Sequence, residues 1–313
     1  VAAGRDAART ADALAARGVA VSCFVAGEQN NARGAEALGM LPRSGGFDTA
    51  ATFAAARDGK LRVLSLFGVN PVLHHPLGGA AVRAALANVP FVVATELFLT
   101  ETAELAHLVL PARASFEKSG HVYDLTGAPH GVFAGHAAPD GTLADGDMLV
   151  ALAAELGLDV PAPDELLAAA NAPAVAIAAG FADAILTGTP DVDASSRPAG
   201  GGLRLAIASH IFSGGGTAAF DDRLGGLRPI ATATFAPATA AEAGVTPGDT
   251  IDLFAGERTL RDLTVAVDAD LGADTVVVID GLPSAPANAL ATGDAVAIGN
   301  VRSAYGALAA GAV

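Results

Sequence analysis

The residues best suited to chemistry by type are the adjacent His74 and His75, which could form a metal-binding pair. Adjacent side chains on a strand point to opposite faces, so both could bind one ion only from a loop. No CxxC, HExxH or carboxylate triad accompanies them, and the sequence predicts no metal site. We expect the pair to serve a loop or a helix start. The remaining histidines are scattered without ligand spacing: His107, His121, His130, His136 and His210.

Acid–base or nucleophilic catalysis would need carboxylates or a nucleophile in a fixed arrangement. Glu101 and Glu104 are one helical turn apart and could act as paired carboxylates, although a solvated helix face is the favoured interpretation. Ser115 lacks the glycine elbow of a GxSxG motif. The run Ser213–Thr217 (SGGGT) could form an anion-binding nest, but an ordinary glycine turn is favoured because no lysine follows. The sequence therefore predicts no catalytic residue.

Composition narrows the possible functions. A net charge of -15 repels phosphate backbones, which argues against nucleic-acid binding. Cys23 is the only cysteine, so the chain can form neither an internal disulfide nor a four-cysteine iron–sulfur site. We expect Cys23 in a buried strand. The most apolar stretch, Ala172–Leu186, is shorter than the ~20 residues that span a bilayer, and Asp183 interrupts it. With no signal peptide at its start, the chain is expected to be a cytoplasmic piece of a longer protein without direct membrane insertion.

The first half of the chain alternates helical and strand patterns. Continuous apolar strands separated by helices are typical of a parallel sheet buried on both faces, so an α/β layer is predicted. The loops after the strands, Gly27–Asn31, Gly68–Pro71 and Thr95–Glu96, should gather at the edge where ligands bind in such folds. Asparagines there could bind a nucleotide or stabilise turns. The predicted helices are Arg5–Arg17, Thr49–Arg57, Gly78–Leu86 and Asp147–Leu156, and the predicted strands are Val19–Val25, Leu61–Phe67 and Pro90–Ala94.

The second half has a different pattern, with six short β-rich runs and one helix, Ala238–Ala243. This pattern predicts a closed β-barrel. Residues 191–202 have the composition of a linker. The predicted organisation is therefore an α/β domain at 1–190, a linker at 191–202 and a barrel domain at 203–313. The predicted barrel strands are Leu203–Ser209, Ile230–Phe235, Thr250–Phe254, Leu260–Val267, Thr275–Ile279 and Ala295–Ile298.

Several segments, in the same order, resemble motifs of the molybdopterin oxidoreductase family. Residues 100–111 (TETAELAHLVLP) and the following Phe116–Gly120 resemble the family signature T-x-T-A-x-x-A-D-x-V-L-P…x-E-x-x-G. Gly68–Pro71 matches a G-x-N-P loop, and Gly244–Asp249 resembles the G-I-x-x-G-D turn of the family's C-terminal barrel. The resemblance implies a Rossmann-like parallel-sheet domain followed by a six-stranded, double-psi-like β-barrel domain.

Within this family, Asn30–Gly34 and Leu38–Pro42 resemble the large iron–sulfur subunits of respiratory NADH–quinone oxidoreductases. In those subunits the molybdopterin-like domain keeps its fold without molybdenum, and the cluster ligands lie N-terminal to the matched region. The resemblance implies a scaffold in the peripheral arm, on the cytoplasmic side of the membrane, that contacts other subunits of the complex. It implies no cofactor in this segment, with iron–sulfur clusters in a missing N-terminal part.

The resemblance also assigns vestigial pterin-site candidates to Asn30, Asn70, Thr100, Thr102, Glu117 and Asp124. The family's Asp before V-L-P is His107 here, and its later N-x-x-G-R stands as Asp124–Ala128. Losing the Asn and Arg removes an amide partner and a phosphate-pairing cation, which favours loss of the cofactor. Two alternatives stay open. One is part of an active molybdopterin-dependent enzyme of the formate dehydrogenase or nitrate reductase type, and the other is a stand-alone nucleotide-binding module.

Overall fold

The computed structural model describes residues 13–19, 31, 34–35, 38, 46–124, 128–161, 165–166, 168, 202–214, 217–290 and 295–304. The chain divides into two compact units, Val1–Thr52 with Pro111–Ala194 and Phe53–Leu110 with Ser195–Val313. Several predictions lie outside the described residues, wholly or nearly so: the strand Val19–Val25 with Cys23, the apolar stretch Ala172–Leu186 and the linker 191–202. The predicted domain boundaries therefore stay predictions.

A small sheet with a parallel strand pair forms the N-terminal part of the second unit. Strand β1 (Val63–Phe67) pairs in parallel with β2 (Phe91–Glu96), and β3 (Leu108–Pro111) lies on the other side of β2. The helices are α1 (Thr49–Arg57), α2 (Pro71–His74) and α3 (Gly79–Ala87). The parallel α/β arrangement is thus confirmed, and the predicted strands and helices here agree to within two residues. The short helix α2 was not predicted.

One face of this sheet packs on helices. Phe53 of α1, Val82 and Leu86 of α3, and Leu66 of β1 belong to one buried apolar cluster. The opposite face of β1 is open, since Val63 is 57% exposed. The prediction that the strands are buried on both faces is therefore wrong for β1. Among the described residues, α1 and α3 cover only the face of β1 that carries Leu64 and Leu66.

The described part of the first unit contains a hairpin and a helix. Strands β4 (Gly120–Tyr123) and β5 (Pro129–Val132) pair antiparallel, and helix α4 (Asp145–Glu155) follows. The helix agrees with its prediction to within two residues. The hairpin was not predicted, because glycine and proline disfavour strands and its exposed positions give no apolar alternation. No helix among the described residues is long and apolar enough to cross a bilayer.

Six strands form a ring of pairings in the C-terminal part of the second unit. They are β6 (Leu203–Ala208), β7 (Thr232–Phe235), β8 (Thr250–Ala255), β9 (Arg258–Val267), β10 (Thr275–Ile279) and β11 (Ala295–Arg302). The ring closes in the order β10-β6-β11-β8-β9-β7. Strands β6 and β10 pair in parallel, as do β7 and β9, and the other neighbours are antiparallel. All six strands were predicted at these positions, with shifted ends.

Alternating residues of these strands fill the interior of the ring. Phe235, Ile251, Leu253 and Val276 are each completely buried. Complete burial of such a side chain contributes about 1.5–3 kcal/mol relative to exposure, so this core is the main source of the ring's stability. Helix α5 (Pro237–Ala243) confirms the single predicted helix of this half.

The predicted G-D turn after α5 is held by its aspartate. The Asp249 carboxylate accepts hydrogen bonds from the Thr246 N–H at 2.9 Å, the Thr246 hydroxyl at 3.0 Å and the Ala304 N–H at 3.0 Å. Bonds from Thr246 and Ala304 lower the pKa of Asp249 below its usual value. The motif therefore has a structural role, in which a buried carboxylate fixes the entry into β8.

Candidate functional site

Polar side chains meet at the carboxyl ends of β1 and β2, the edge at which the loops after the strands were expected to gather. Asn70 follows β1, and the segment Thr100–Thr102 follows β2. The Asn70 Nδ2 donates to Glu101 Oε2 at 2.7 Å, and the Thr102 hydroxyl donates to Asn70 Oδ1 at 2.7 Å. We call Asn70, Glu101 and Thr102 the strand-edge cluster. Its groups already satisfy one another.

The hydroxyls of the two threonines of the T-x-T motif accept hydrogen bonds from backbone N–H groups. Thr102 is 1% exposed, and its hydroxyl also accepts the Val72 N–H at 3.1 Å, which ties α2 to the segment after β2. The Thr100 hydroxyl accepts the Ala103 N–H at 3.2 Å at the start of a 3-10 helix, Ala103–Leu105. Glu101 therefore does not share a helix with Glu104, and its carboxylate bonds Asn70 instead of lying on a solvated helix face.

Replacing Thr102 by valine should lower the free energy of unfolding by about 2 kcal/mol, because the buried Val72 N–H loses its acceptor. Valine matches threonine in shape and removes only the hydroxyl. Thr102→Ser keeps the hydroxyl and loses one methyl group, so it should cost about 1 kcal/mol. Urea unfolding of the two variants and the wild type measures the difference. Equal stability of Thr102→Val and wild type would contradict this role.

His74, at the end of α2, contacts two loops of the six-stranded ring in the same unit. Its Nδ1 lies 3.4 Å from Asp280 Oδ2, after β10, and its Nε2 lies 3.0 Å from the Gly214 carbonyl oxygen, after β6. The Asp280 carboxylate raises the pKa of His74 above its usual 6.5, although partial burial opposes the shift. The Asn288 amide fixes α2 further by donating to the carbonyls of Val72 at 3.0 Å and His75 at 3.2 Å.

The histidine pair does not act as a metal pair in this arrangement. The ring of His75 packs on Phe53 with centroids 4.5 Å apart, and its Nδ1 accepts the Leu77 N–H at 3.1 Å. Burial lowers the pKa of His75, which favours the neutral ring. His75 lies in the loop after α2, as predicted, whereas His74 ends a helix instead of starting one, because the helix begins at Pro71. No metal-binding group of three or more His, Cys, Asp or Glu occurs within the described ranges.

The other predicted site residues lie in the first unit or outside the described residues. Glu117 accepts the Ala114 N–H at 2.8 Å, within its own turn. Asp124 accepts the Ala128 N–H at 3.0 Å and pairs with His130 Nε2 at 2.9 Å, across the β4–β5 hairpin. Asn30 lies outside the described residues.

His107, which replaces an aspartate of the family motif, forms hydrogen bonds to strand β2. Its Nδ1 accepts the Val92 N–H at 3.0 Å, and its own backbone N–H donates to the Val92 carbonyl at 2.8 Å. Asp280, Gly214 and Asn288 were missed by sequence reasoning. Ser213–Thr217 was expected to be an ordinary glycine turn, with an anion-binding nest as the alternative, and its described part offers the Gly214 carbonyl to His74.

Comparisons with known proteins place these features in a family. Residues 4–155 match the molybdopterin oxidoreductase family. The chain is 33% identical over 222 residues to the G subunit of the NADH-quinone oxidoreductase of Streptomyces coelicolor, a match that covers 68% of this chain and 25% of that relative. It is 39% identical over 71 residues to a nitrate reductase of Shewanella frigidimarina, which covers 22% of this chain and 8% of that enzyme.

The fold is also similar to that of a solved structure. Acetylene hydratase from Pelobacter acetylenicus matches 79% of this chain and 42% of its own chain, with a TM-score of 0.50 and 17% identity. At this identity the match concerns the fold alone. The chain spans about a quarter of the length of the Streptomyces relative that it matches. The family match over 4–155, the similarity to that relative and the shared fold lead to one conclusion: the chain belongs to the molybdopterin oxidoreductase family.

Proposed function

We propose that this chain is a scaffold portion of the large subunit of an NADH–quinone oxidoreductase. In this role it holds no cofactor and supports electron transfer from NADH to quinone through iron–sulfur clusters outside the segment. Its partners are the other subunits of the peripheral arm, on the cytoplasmic side of the membrane. The similarity to the Streptomyces NADH-quinone oxidoreductase over 68% of the chain supports this choice within the family.

The main support for the proposal is the negative charge of the strand-edge cluster. A molybdopterin cofactor carries phosphates, which bind best to cations and backbone N–H groups. This edge instead presents the carboxylate of Glu101, and Asp280 lies on the other side of His74. Glu101 makes no ion pair with any described lysine or arginine. The carboxylates at this edge would repel the phosphates of a pterin cofactor.

Several arginines and lysines of this unit are engaged elsewhere in the described structure. Arg57 and Lys60 pair with Asp58, Arg223 with Asp221 and Arg302 with Asp252. The Asn70 amide and the Thr102 hydroxyl, which would have to turn toward a ligand, are bonded to each other. These contacts support a retained fold whose former ligand edge now stabilises itself. We also propose that the six-stranded ring is of the double-psi type, in keeping with its two parallel pairs.

The proposal is tested by separating assembly from turnover in the native complex. A tagged wild-type chain should co-purify with NADH–quinone reductase activity and its flavin and iron–sulfur clusters. Asn70→Ala should reduce the amount of complex at most, and the turnover per assembled complex should stay within about twofold. A loss of about tenfold, equal to about 1.4 kcal/mol in barrier height, in a fully assembled Asn70→Ala complex would contradict a scaffold role. Co-purification with nitrate- or formate-dependent activity would support the alternative of an active molybdopterin enzyme.

A further inference from the structure

The two ring nitrogens of His74 both face hydrogen-bond acceptors. Nδ1 faces the Asp280 carboxylate at 3.4 Å, and Nε2 faces the Gly214 carbonyl oxygen at 3.0 Å. A neutral imidazole has one N–H and can donate to only one of them, whereas the imidazolium has two and can donate to both. The geometry therefore selects the protonated ring.

The loops that carry the two acceptors, Asp280 and Gly214, are in close contact. Gly281 adopts a φ of +71°, and a Cβ on it would lie 2.8 Å from the Gly214 Cα and 3.2 Å from His74 Cε1. The loops after β6 and β10 thus touch backbone to backbone at the point where His74 meets them. The side chains of His74 and Asp280 are 33% and 32% exposed, so the pair can exchange protons with solvent.

We propose that His74 is a pH-dependent latch that holds helix α2 to the loops after β6 and β10 when its ring carries both protons. When the ring loses one proton, one of the two contacts is lost, and α2 keeps the Asn288 bonds and a single histidine bond. Because α2 begins directly after Asn70, the state of the latch acts on the strand-edge cluster. This inference does not depend on whether the chain is a scaffold or part of an enzyme.

The charged groups around the His74 imidazole determine whether its pKa is raised or lowered. Asp280 and, more weakly, Glu101 favour the protonated ring, and burial opposes it. Burial lowers the pKa of His75, so this ring loses its charge at a lower pH than an ordinary histidine. On the elements beside α2, Arg83 of α3 and Glu104 of the 3-10 helix are exposed. The pKa of His74 is raised, so the stabilisation is complete below about pH 6.5, the ordinary histidine value, and is lost as the pH rises through the raised pKa.

The first test is a histidine NMR titration of the 313-residue chain, with the Cε1–H signal of His74 assigned through His74→Gln. We expect the pKa of His74 to lie above 6.5 in the wild type and to fall toward or below that value in Asp280→Asn. His136→Gln, which removes an exposed histidine of the first unit, is the matched control and should leave the His74 titration unchanged. A His74 pKa at or below 6.5, or one that Asp280→Asn does not change, would overturn the proposal.

The second test measures whether protonation closes the latch. Hydrogen exchange of peptides covering residues 69–75 and 208–214 is compared between wild type and His74→Gln at each pH. We expect slower exchange in the wild type at about pH 5.5 and a much smaller difference at about pH 8.5, where a larger fraction of the His74 ring has lost its second proton. A difference that is the same at both pH values would show a fixed packing role and would count against the latch. His136→Gln should match the wild type in these peptides at both pH values.

Discussion

Asp252→Ala is expected to lower the free energy of unfolding of the six-stranded ring by about 3 kcal/mol. Asp252 lies in β8 with 3% of its surface exposed, and its carboxylate accepts three hydrogen bonds. The donors are Asn300 Nδ2 at 2.7 Å, the Asp262 N–H at 3.0 Å and Arg302 Nη2 at 3.2 Å. Removing the buried carboxylate leaves the Asn300 amide and the Asp262 N–H without this acceptor, whereas Arg302 keeps its 2.9 Å bond to the Asp262 carboxylate.

The same carboxylate holds two irregular positions of the ring. Asp262 in β9 and Asn300 in β11 have φ values of +58° and +50°, which residues other than glycine rarely adopt. Both lie where the strand register shifts beside β8. Asp252 bonds a group from each, so it links both flanking strands at their bulges. Its loss should therefore loosen both edges of β8 together.

The effect of Asp252→Ala should depend on pH in a defined direction. Burial opposes the charge of Asp252, but bonds from Asn300, the Asp262 N–H and Arg302 outweigh it and lower the pKa below 3.8. A lowered pKa means that the stabilisation is present above about pH 3.8 and is lost as the pH falls through the folded-state value. Denaturant unfolding should show the full difference in free energy of unfolding between wild type and variant at about pH 7. The difference should shrink as the pH is lowered.

An exposed carboxylate in the β8–β9 turn provides the control for this substitution. Glu257→Ala should change the free energy of unfolding by less than about 0.5 kcal/mol, because Glu257 is exposed. Equal stability of Asp252→Ala and wild type at neutral pH would contradict the role assigned to Asp252.

Gly281→Ala should destabilise the second unit by about 3 kcal/mol, through two costs that add. A non-glycine residue at φ +71° costs about 1 kcal/mol. The added Cβ would also lie 2.8 Å from the Gly214 Cα and 3.1 Å from the Gly214 N, so two loop backbones must separate, which costs about 1–3 kcal/mol.

The β8–β9 turn offers a matched control for this steric argument. Gly256 has a similar φ of +60°, and a Cβ there would meet nothing within 4 Å. Gly256→Ala should therefore show only the conformational cost of about 1 kcal/mol. Thermal and denaturant unfolding of both variants isolates the contribution of the close approach. If the two substitutions cost the same, the contact between the loops after β6 and β10 is not as close as described.

The features that follow a local pattern could be predicted from the sequence. Short β-rich runs located the six strands of the ring, and the G-x-N-P and T-x-T motifs located Asn70 and Thr102, which do meet at one sheet edge. Parallel strands bring their carboxyl ends together whatever the loop sequences are, so this meeting follows from topology.

The features that depend on distant residues could not be predicted. His74 and Asp280 are 206 positions apart, and neither residue type nor spacing indicates the pairing. Asp252 occurs in a mostly apolar strand, and its burial is explained by partners from β9 and β11, namely the Asp262 N–H, Asn300 and Arg302. The exposure of Val63 depends on which face of the sheet the helices cover, which the apolar run in β1 does not specify.

We propose that the chain keeps the family fold and that the sheet edge at the strand-edge cluster does not bind the family's cofactor. The most direct measurement is the molybdenum and pterin content of the intact complex purified from its native source, by mass spectrometry of the metal and fluorescence of the oxidised pterin. We expect flavin and iron in stoichiometric amounts and molybdenum far below one atom per chain. One molybdenum atom and its pterin per chain, in a preparation of the intact complex, would contradict the scaffold role and favour an active molybdopterin enzyme.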